Sequence, residues 1–377
     1  MVFIRRQELV ISRHAYTGPR ARLDGHQTQT KATAIRTRRH IRAAALAHYF
    51  EVAEAVGLNP QPLLRRAGLS RRMLVDPEQR IPLAAALQLL EESAEASGLG
   101  DFGLRMAEAR RLSDLGALSL LLTHLASLRA VLQTLIHSRQ LVGGTLALAL
   151  VETGKSTAIR EELVGPDASG SHQATELVLG VLFRLCATLP GQRWHPQSVN
   201  FRHAAPADTH RHRQLFNCRL KFGSEFNGFV CATVDLDSPN PLADPVLAAY
   251  ARRLVDVPDE SGEDTLSQTV RKVLYVQLPL GRASIEQAAQ GLGLNVRTLQ
   301  RQLSADGVAF SELVNEVRRD LVLRYLAQPS HTLTRVAELV GYGQPSSFTR
   351  WFASQFRETP SEWRRRTRQG SRSPTTR

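Results

Sequence analysis

The chain has 377 residues, 42% hydrophobic and 22% charged, which suits a globular protein of two or three domains. No run approaches the roughly 18 uninterrupted apolar residues of a membrane span; the longest candidate, 141–151, is short and holds Gly143, Gly144 and Thr145. Cys186, Cys218 and Cys231 lack CxxC spacing and are too few for a disulfide framework, and the basic N-terminus lacks the apolar segment of a secretory signal, so a cytoplasmic protein without membrane partners is expected. The net charge of +13 is uneven. Residues 1–40 carry nine Lys/Arg against two Asp/Glu, residues 41–264 are mildly acidic at −3, and residues 265–377 carry 17 against 8. A basic last third on an acidic body suggests a sensor or enzyme joined to a module that binds a polyanion.

Residues 1–40 show little apolar periodicity and read as a basic, disordered tail, a non-specific DNA-contacting arm being the alternative. Helical periodicity starts near Ile41, with Ala45, Tyr49, Val52 and Val56 at three- and four-residue steps. Asn59 and Pro60 mark a helix start in NPQPLLRRAGL, and IPLAAALQLLEESAEASG reads as a helix from Pro82 to a stop at Gly98. Further helices are expected over 102–109 and 116–137. TLALALVETG and KSTAIREELVG then read as strands around a turn at Gly154. A long helix over 170–189, short strands over 198–203 and 228–234, a polar helix over 207–216 and a helix in PLADPVLAAYARRLVD complete an α+β domain, 41–256. VPDESGED supplies a linker, 257–264.

In SIEQAAQGLGLNVRTLQRQL, Ser284 caps a short helix with Ile285, Ala288, Ala289 and Leu292 inward. Gly293 permits a sharp turn, Asn295 caps a second helix, and Leu299 and Leu303 lie one turn apart: helix-turn-helix spacing. TLTRVAELVGYGQPSSFTRWFASQF repeats it, with Val336, Ala337 and Val340 inward, Gly341 at the turn and Phe348, Phe352 and Phe356 at four-residue steps. Ala289 to Ala337 is an offset of 48 and Leu299 to Phe348 one of 49, a diverged repeat with one residue inserted. FSELVNEVRRDLVLRYLAQ joins the units as a helix of nearly ~30 Å, close to the ~34 Å between successive major-groove faces. The expected fold is an α+β N-terminal domain followed by an all-α C-terminal domain, 265–367, with two helix-turn-helix units joined by a long linker helix, and then a basic tail, 368–377.

These two units, the linker VRRDLVLRYL and VAELVGYGQPSSFTRWFASQFRETPSEWR with Thr359-Pro360 resemble the AraC/XylS family of bacterial transcription regulators. GLNPQPLLRRAGL, DPEQRIPL and LKFGSEFNGFV are similar to the N-terminal effector-binding and dimerisation domain of a subgroup that includes regulators of ornithine use and virulence. The resemblance implies an activator acting through RNA polymerase, an unknown small-molecule effector and a homodimer. The sequence departs from the pattern at Gly343, where a capping Ser is usual, at Val322, for a small Ala, and at Glu358, for a Gly.

Outward positions of the first unit are Asn295, Val296, Arg297, Thr298, Gln300 and Arg301; those of the second are Gln344, Ser346, Ser347, Thr349 and Arg350. Arg pairs bidentately with guanine, Gln with adenine, and Val or Thr meets a thymine methyl. Arg297 and Arg301, four apart, share a face and are the first candidates for base contact; phosphate contact is the alternative. Leu294, Leu299, Tyr342 and Phe348 read as core, and Arg364, Arg365, Arg366 and Arg368 as phosphate contacts or a solvated run.

An enzyme reading finds little. GxSxG, Walker and HExxH motifs are absent, and no cysteine has the Pro-Cys-His-Arg context of DNA-alkylation repair. His203, His210, His212 and Cys218 invite a metal, but positions two apart on a helix diverge, so a solvated surface is expected. No catalytic residue, cofactor or metal is assigned. Phe183, Trp194, Phe201 and Phe216 are candidates for a pocket or for core. The expected function is an effector-responsive, sequence-specific DNA-binding transcription regulator reading two successive major grooves. The alternatives are a constitutive regulator whose N-terminal domain only dimerises, and an enzyme with a DNA-binding tail.

Overall fold

The computed structural model describes residues 40–137, 145–165, 168, 170–188, 194–255 and 265–370. The expected linker 257–264 lies outside these, as do the expected tails apart from His40 and residues 368–370.

The first departure from the periodicity is at Ile41. Here β1 (His40–Arg42) pairs antiparallel with β2 (Arg80–Pro82), setting Ile41 against Ile81, and both side chains are buried. A strand that short needs a partner, and the partner is 40 residues away, beyond any local pattern. The helix itself, α1 (Tyr49–Ala55), starts later, and the Tyr49 hydroxyl lies 3.0 Å from Ser93 Oγ. Next, α2 (Pro60–Arg66) is capped by Asn59, whose Oδ1 accepts from the Gln61 amide, with Pro60 at the first helical position. Then α3 (Leu83–Ser97) runs from Pro82 to Gly98, which adopts φ +66°.

α4 (Phe102–Ala109) packs closely along α7 (His172–Thr188). The approach depends on Gly103: a Cβ there would stand 2.1 Å from the Gln173 carbonyl oxygen. The single helix expected over 116–137 is two, α5 (Ala117–Thr123) and α6 (Leu128–His137). Asn240 Nδ2 donates to the Thr123 and Leu125 carbonyls at 2.8 and 2.9 Å, and Ser127 Oγ accepts from the Ala130 amide. A side chain distant in sequence thus ends one helix where the apolar period alone continues it.

The sheet has the order β3-β4-β7-β5-β6, from β3 (Leu146–Thr153), β4 (Ser156–Leu163), β5 (Ser198–Asn200), β6 (Arg219–Lys221) and β7 (Asn227–Ala232). All pairs are antiparallel except β5 with β6. The β3–β4 turn is at Gly154, as the sequence suggests, while β6 carries no apolar alternation that would announce it. The polar helix is α8 (His210–Phe216); the chain then passes through α9 (Thr233–Leu236) to α10 (Pro245–Val255). Phe183, Trp194, Phe201 and Phe216 are all buried and interlock, Phe183 and Phe216 edge-to-face at 5.3 Å. They are core.

The histidines are not a uniformly solvated surface. His210 is exposed, but His212 is buried, with Nε2 2.8 Å from Glu176 Oε1, so the two do diverge across α8. His203 is also largely buried, stacked on His172 at 4.9 Å. Their polar sequence context gave no sign of this. Among the described residues, no group of three or more His, Cys, Asp or Glu is placed to hold a metal ion.

The C-terminal region is helical: α11 (Leu266–Gln277), α12 (Ile285–Gly291), α13 (Val296–Ala305), α14 (Phe310–Ala327), α15 (Leu333–Leu339), α16 (Pro345–Phe356) and α17 (Pro360–Gly370). Ser284 and Gln287 form a reciprocal capping box on α12, and Asn295 Oδ1 accepts from the Thr298 amide at 2.8 Å on α13. Gly293 and Gly341 take φ +65° and +82° at the turns after α12 and α15. Ala288, Ala289, Leu299, Leu303, Val336, Ala337, Val340, Phe348 and Phe352 are buried. α16 opens without a side-chain cap, Gln344 standing at its N-cap. The left-handed residue that ends α16 is Arg357 (φ +58°), one position before the Glu358 at which the sequence pattern lacks its glycine.

Gly103→Ala is expected to lower stability by about 2 kcal/mol or more, since the added methyl must push α4 off α7. Chemical denaturation checks it; an unchanged midpoint would contradict the close approach.

Candidate nucleic-acid interface

α13 and α16 each turn one side to the core and the other to solvent. On α13, Leu299 and Leu303 face inward, while Asn295, Arg297, Gln300 and Arg301 are exposed and Val296 and Thr298 half-buried. On α16, Phe348 and Phe352 face inward; Gln344, Ser346, Thr349 and Arg350 are exposed and Ser347 half-buried. Asn295 is occupied as a cap, and Thr349 Oγ1 donates to the Pro345 carbonyl at 2.9 Å. Leu294 and Tyr342 are partly buried against the same core.

The arginines divide into two sets. Arg271 pairs with Glu316, and Arg335 with Glu225 and Glu338. Arg318 donates to the Val340 carbonyl and stacks over Tyr342, and Arg319 donates to Gln355. Arg297, Arg301 and Arg350 have no ion-pair or hydrogen-bond partner among the described residues. The C-terminal run divides in the same way. Arg364 is turned inward onto the Leu326 and His331 carbonyls, and Arg366 pairs with Glu358 at 2.7 Å, which leaves Arg365 and Arg368 exposed. An uncompensated guanidinium on an exposed helix face is ready for an anion.

Behind these helices a polar joint connects α14 to the sheet. Arg324 is only 8% exposed. It pairs with Glu162 at the end of β4 and donates to the Leu163 carbonyl (2.8 Å) and the Gly165 carbonyl. Glu162 also pairs with Arg202, and Gln328 donates to the Arg202 carbonyl at 3.1 Å. The Gly165 amide donates to the Tyr275 hydroxyl, which in turn bonds Asp320. Burial alone would raise the Glu162 carboxyl, but the Arg202 and Arg324 guanidiniums outweigh it and hold the carboxyl below its ordinary range. Its neighbour Glu161 is different: burial and then the Glu162 charge push it up to about 8.

The β3–β4 hairpin is a wall with two occupied sides, because alternate side chains face opposite ways. Ala147 and Val164 join the core of the C-terminal helices. Leu146, Leu148 and Leu163 face a cavity of about 260 Å³ between the hairpin, α3 and α7. Sequence reasoning found neither the joint nor the cavity. Arg324 within the apolar stretch DLVLRYL, and the Glu161-Glu162 pair ending an apolar strand, were the available signals.

The pairs α12–α13 and α15–α16 thus each carry a tight glycine turn and exposed, unpaired arginine on the second helix. A family model described as a helix-turn-helix domain matches residues 288–366. Another, described as the arabinose-binding N-terminal domain of the AraC transcription regulator, matches residues 57–240. The transcriptional regulator VirS of Mycobacterium tuberculosis is 29% identical over 329 residues, covering 86% of this chain and 96% of that protein. The ornithine utilization regulator of Pseudomonas aeruginosa is 24% identical over 310 residues, covering 82% and 91%. The crystal structure of CdpR from Pseudomonas aeruginosa aligns over 81% of this chain and 96% of that one, at 18% identity and a TM-score of 0.39, too low to bear on the fold. The protein is a helix-turn-helix transcriptional regulator. It belongs to the AraC family.

Glu161 supplies a pH test. The unfolded chain ionises this carboxyl near ~4.3 and the folded protein near 8, so between these values rising pH favours unfolding. Glu161→Gln is therefore expected to raise the melting temperature more at pH 8 than at pH 5. Equal shifts at both would contradict the buried, neutral carboxyl.

Proposed function

We propose that α12–α13 and α15–α16 are two helix-turn-helix units, held by α14 as a linker helix and presenting α13 and α16 to successive major grooves of promoter DNA. The single observation carrying this is that Arg297, Arg301 and Arg350 lie uncompensated on the exposed faces of α13 and α16, while α14's arginines are engaged. The 48-residue step from Ile285 to Leu333, and 49 from Val296 to Pro345, support the repeat. At ~1.5 Å per residue, α14 spans roughly 27 Å, comparable with one turn of B-DNA. Arg297 and Arg301, with Gln300, Gln344 and Ser347, are the proposed base readers; Asn295 and Thr349 shape the helix starts; Val296, Thr298 and Ser346 lie beside them. Arg365 and Arg368 are the proposed phosphate contacts. The functional division is an effector and dimerisation domain, 41–256, a linker, 257–264, and a DNA-binding domain, 265–367.

The effector reading is supported by the two-sided hairpin. A molecule in the cavity meets Leu163, whose carbonyl holds Arg324 of α14, so occupancy and helix position bias one another. This favours an effector-responsive over a constitutive regulator. The chain acts in this reading as a regulator, not an enzyme, in the compartment that holds the chromosome, and its activating contact is with RNA polymerase, as the family's members suggest. Homodimerisation is supported by α10, where Val246, Leu247, Tyr250 and Leu254 form an exposed apolar stripe beside exposed Leu120 of α5.

Fluorescence anisotropy of the full chain on the gene's own upstream duplex, against a scrambled one at several salt concentrations, tests the interface. Arg297→Ala is expected to cost about 1–3 kcal/mol on the native duplex only; an equal loss on both would assign Arg297 to phosphate. Tyr250→Asp is expected to convert dimer to monomer in sedimentation, and an unchanged mass would exclude α10 as the interface.

A further inference from the structure

The cavity's chemistry narrows what the effector can be. Its wall is almost entirely aliphatic. On α7, a helix otherwise largely buried, Val178 and Val181 remain only partly buried because they face this space. The polar groups are few: Arg42, Arg80, Arg110, Asp114 and Thr145, of which Arg80 and Thr145 have partners of their own. Arg42 is paired with Glu78, and Asp114 is held by His48 Nε2 at 2.8 Å and by the Arg111 amide at 2.9 Å. Arg110 differs. One of its terminal nitrogens donates to the Ala45 carbonyl, while its buried Nε has no hydrogen-bond partner among the described residues. A buried, half-satisfied guanidinium at the side of an apolar cavity costs stability until an acceptor arrives.

A sugar fits this lining poorly, since most of its hydroxyls would lose water and find no partner. Size gives a second constraint. An engineered apolar cavity of about 150 Å³ takes up benzene, so 260 Å³ holds about ten non-hydrogen atoms by the same proportion. We infer that the cavity binds a medium-chain aliphatic monocarboxylate, its carboxylate on Arg110 and its tail between Val178 and Val181 of α7 and Leu87 of α3. The inference rests on the effector reading above and gives it a ligand class. Burial lowers the Arg110 guanidinium from its usual range, with Asp114 only partly offsetting this, so a second carboxylate is favoured there.

The test is calorimetry on the full chain with sodium octanoate, 1-octanol and L-arabinose. Octanoate is expected to bind one-to-one, octanol about tenfold more weakly for want of a charge-assisted pair, and arabinose not at all. Arg110→Met should erase the preference for octanoate over octanol. Val178→Phe, which fills the cavity without touching the charge, should abolish binding of both while leaving the circular dichroism spectrum in place. Absence of octanoate binding, binding unchanged in both variants, or binding of arabinose displaced by Val178→Phe would each overturn the ligand class. DNA anisotropy with and without octanoate separates the two readings. Arg110-dependent octanoate binding that leaves DNA affinity and transcription unchanged supports the ligand class and overturns its role as effector. A polar metabolite that shifts DNA affinity while octanoate fails to bind does the reverse.

Discussion

A carboxylate taken out of water must be compensated where it sits, and at Glu162 the compensation comes from two directions. Arg202 belongs to the sheet region and Arg324 to the long helix of the DNA-binding region. Removing either guanidinium would leave the buried carboxylate with one partner in place of two. The joint therefore sets where α14 lies against β4, and α14 positions the helices packed on either side of it. Such a network is a costly way to glue two surfaces, because hydrophobic contacts of equal area do it as well. Its directionality is what hydrophobic contacts lack: guanidinium forks on one carboxylate and two carbonyls admit few arrangements.

The hairpin gives this joint something to respond to. Leu163 and Glu162 are adjacent in sequence but face opposite sides of β4, one toward the cavity and the other toward Arg324. No relay of intermediate residues is required. In the proposed reading, a molecule that alters the packing against Leu163 acts on the strand end that carries Glu162. The neighbouring Glu161 adds an energetic cost at neutral pH that the fold tolerates at the same place, consistent with a region shaped by more than stability.

Much of the C-terminal third was legible in the sequence because its signals are local. Caps at Ser284 and Asn295, turns at Gly293 and Gly341, and apolar residues at helical steps all lie within a few residues of what they specify. The N-terminal region was less legible wherever a distant partner decides the outcome. Ile41 becomes a strand because of Ile81, a helix breaks because Asn240 reaches its carbonyls, and His212 is buried because Glu176 accepts it. Arg364 sits in a run of like charge, yet it is bonded inward to carbonyls that no linear pattern identifies. The exposed faces of α13 and α16 were anticipated. The joint and the cavity were not, since both are assembled from elements far apart in the chain.

The two exposed helices are not equally prepared. α13 begins on a side-chain cap from Asn295, whereas Gln344 gives α16 none. Amide protons in the first turn of α16 should therefore exchange with solvent faster than those of α13, the opening there costing less. In the proposed reading, α16 therefore meets DNA with a first turn that opens more readily than that of α13. In that reading the two contacts differ in their sensitivity to temperature: the one made by α16 rests on the less firmly held first turn, and weakens first as the protein is warmed.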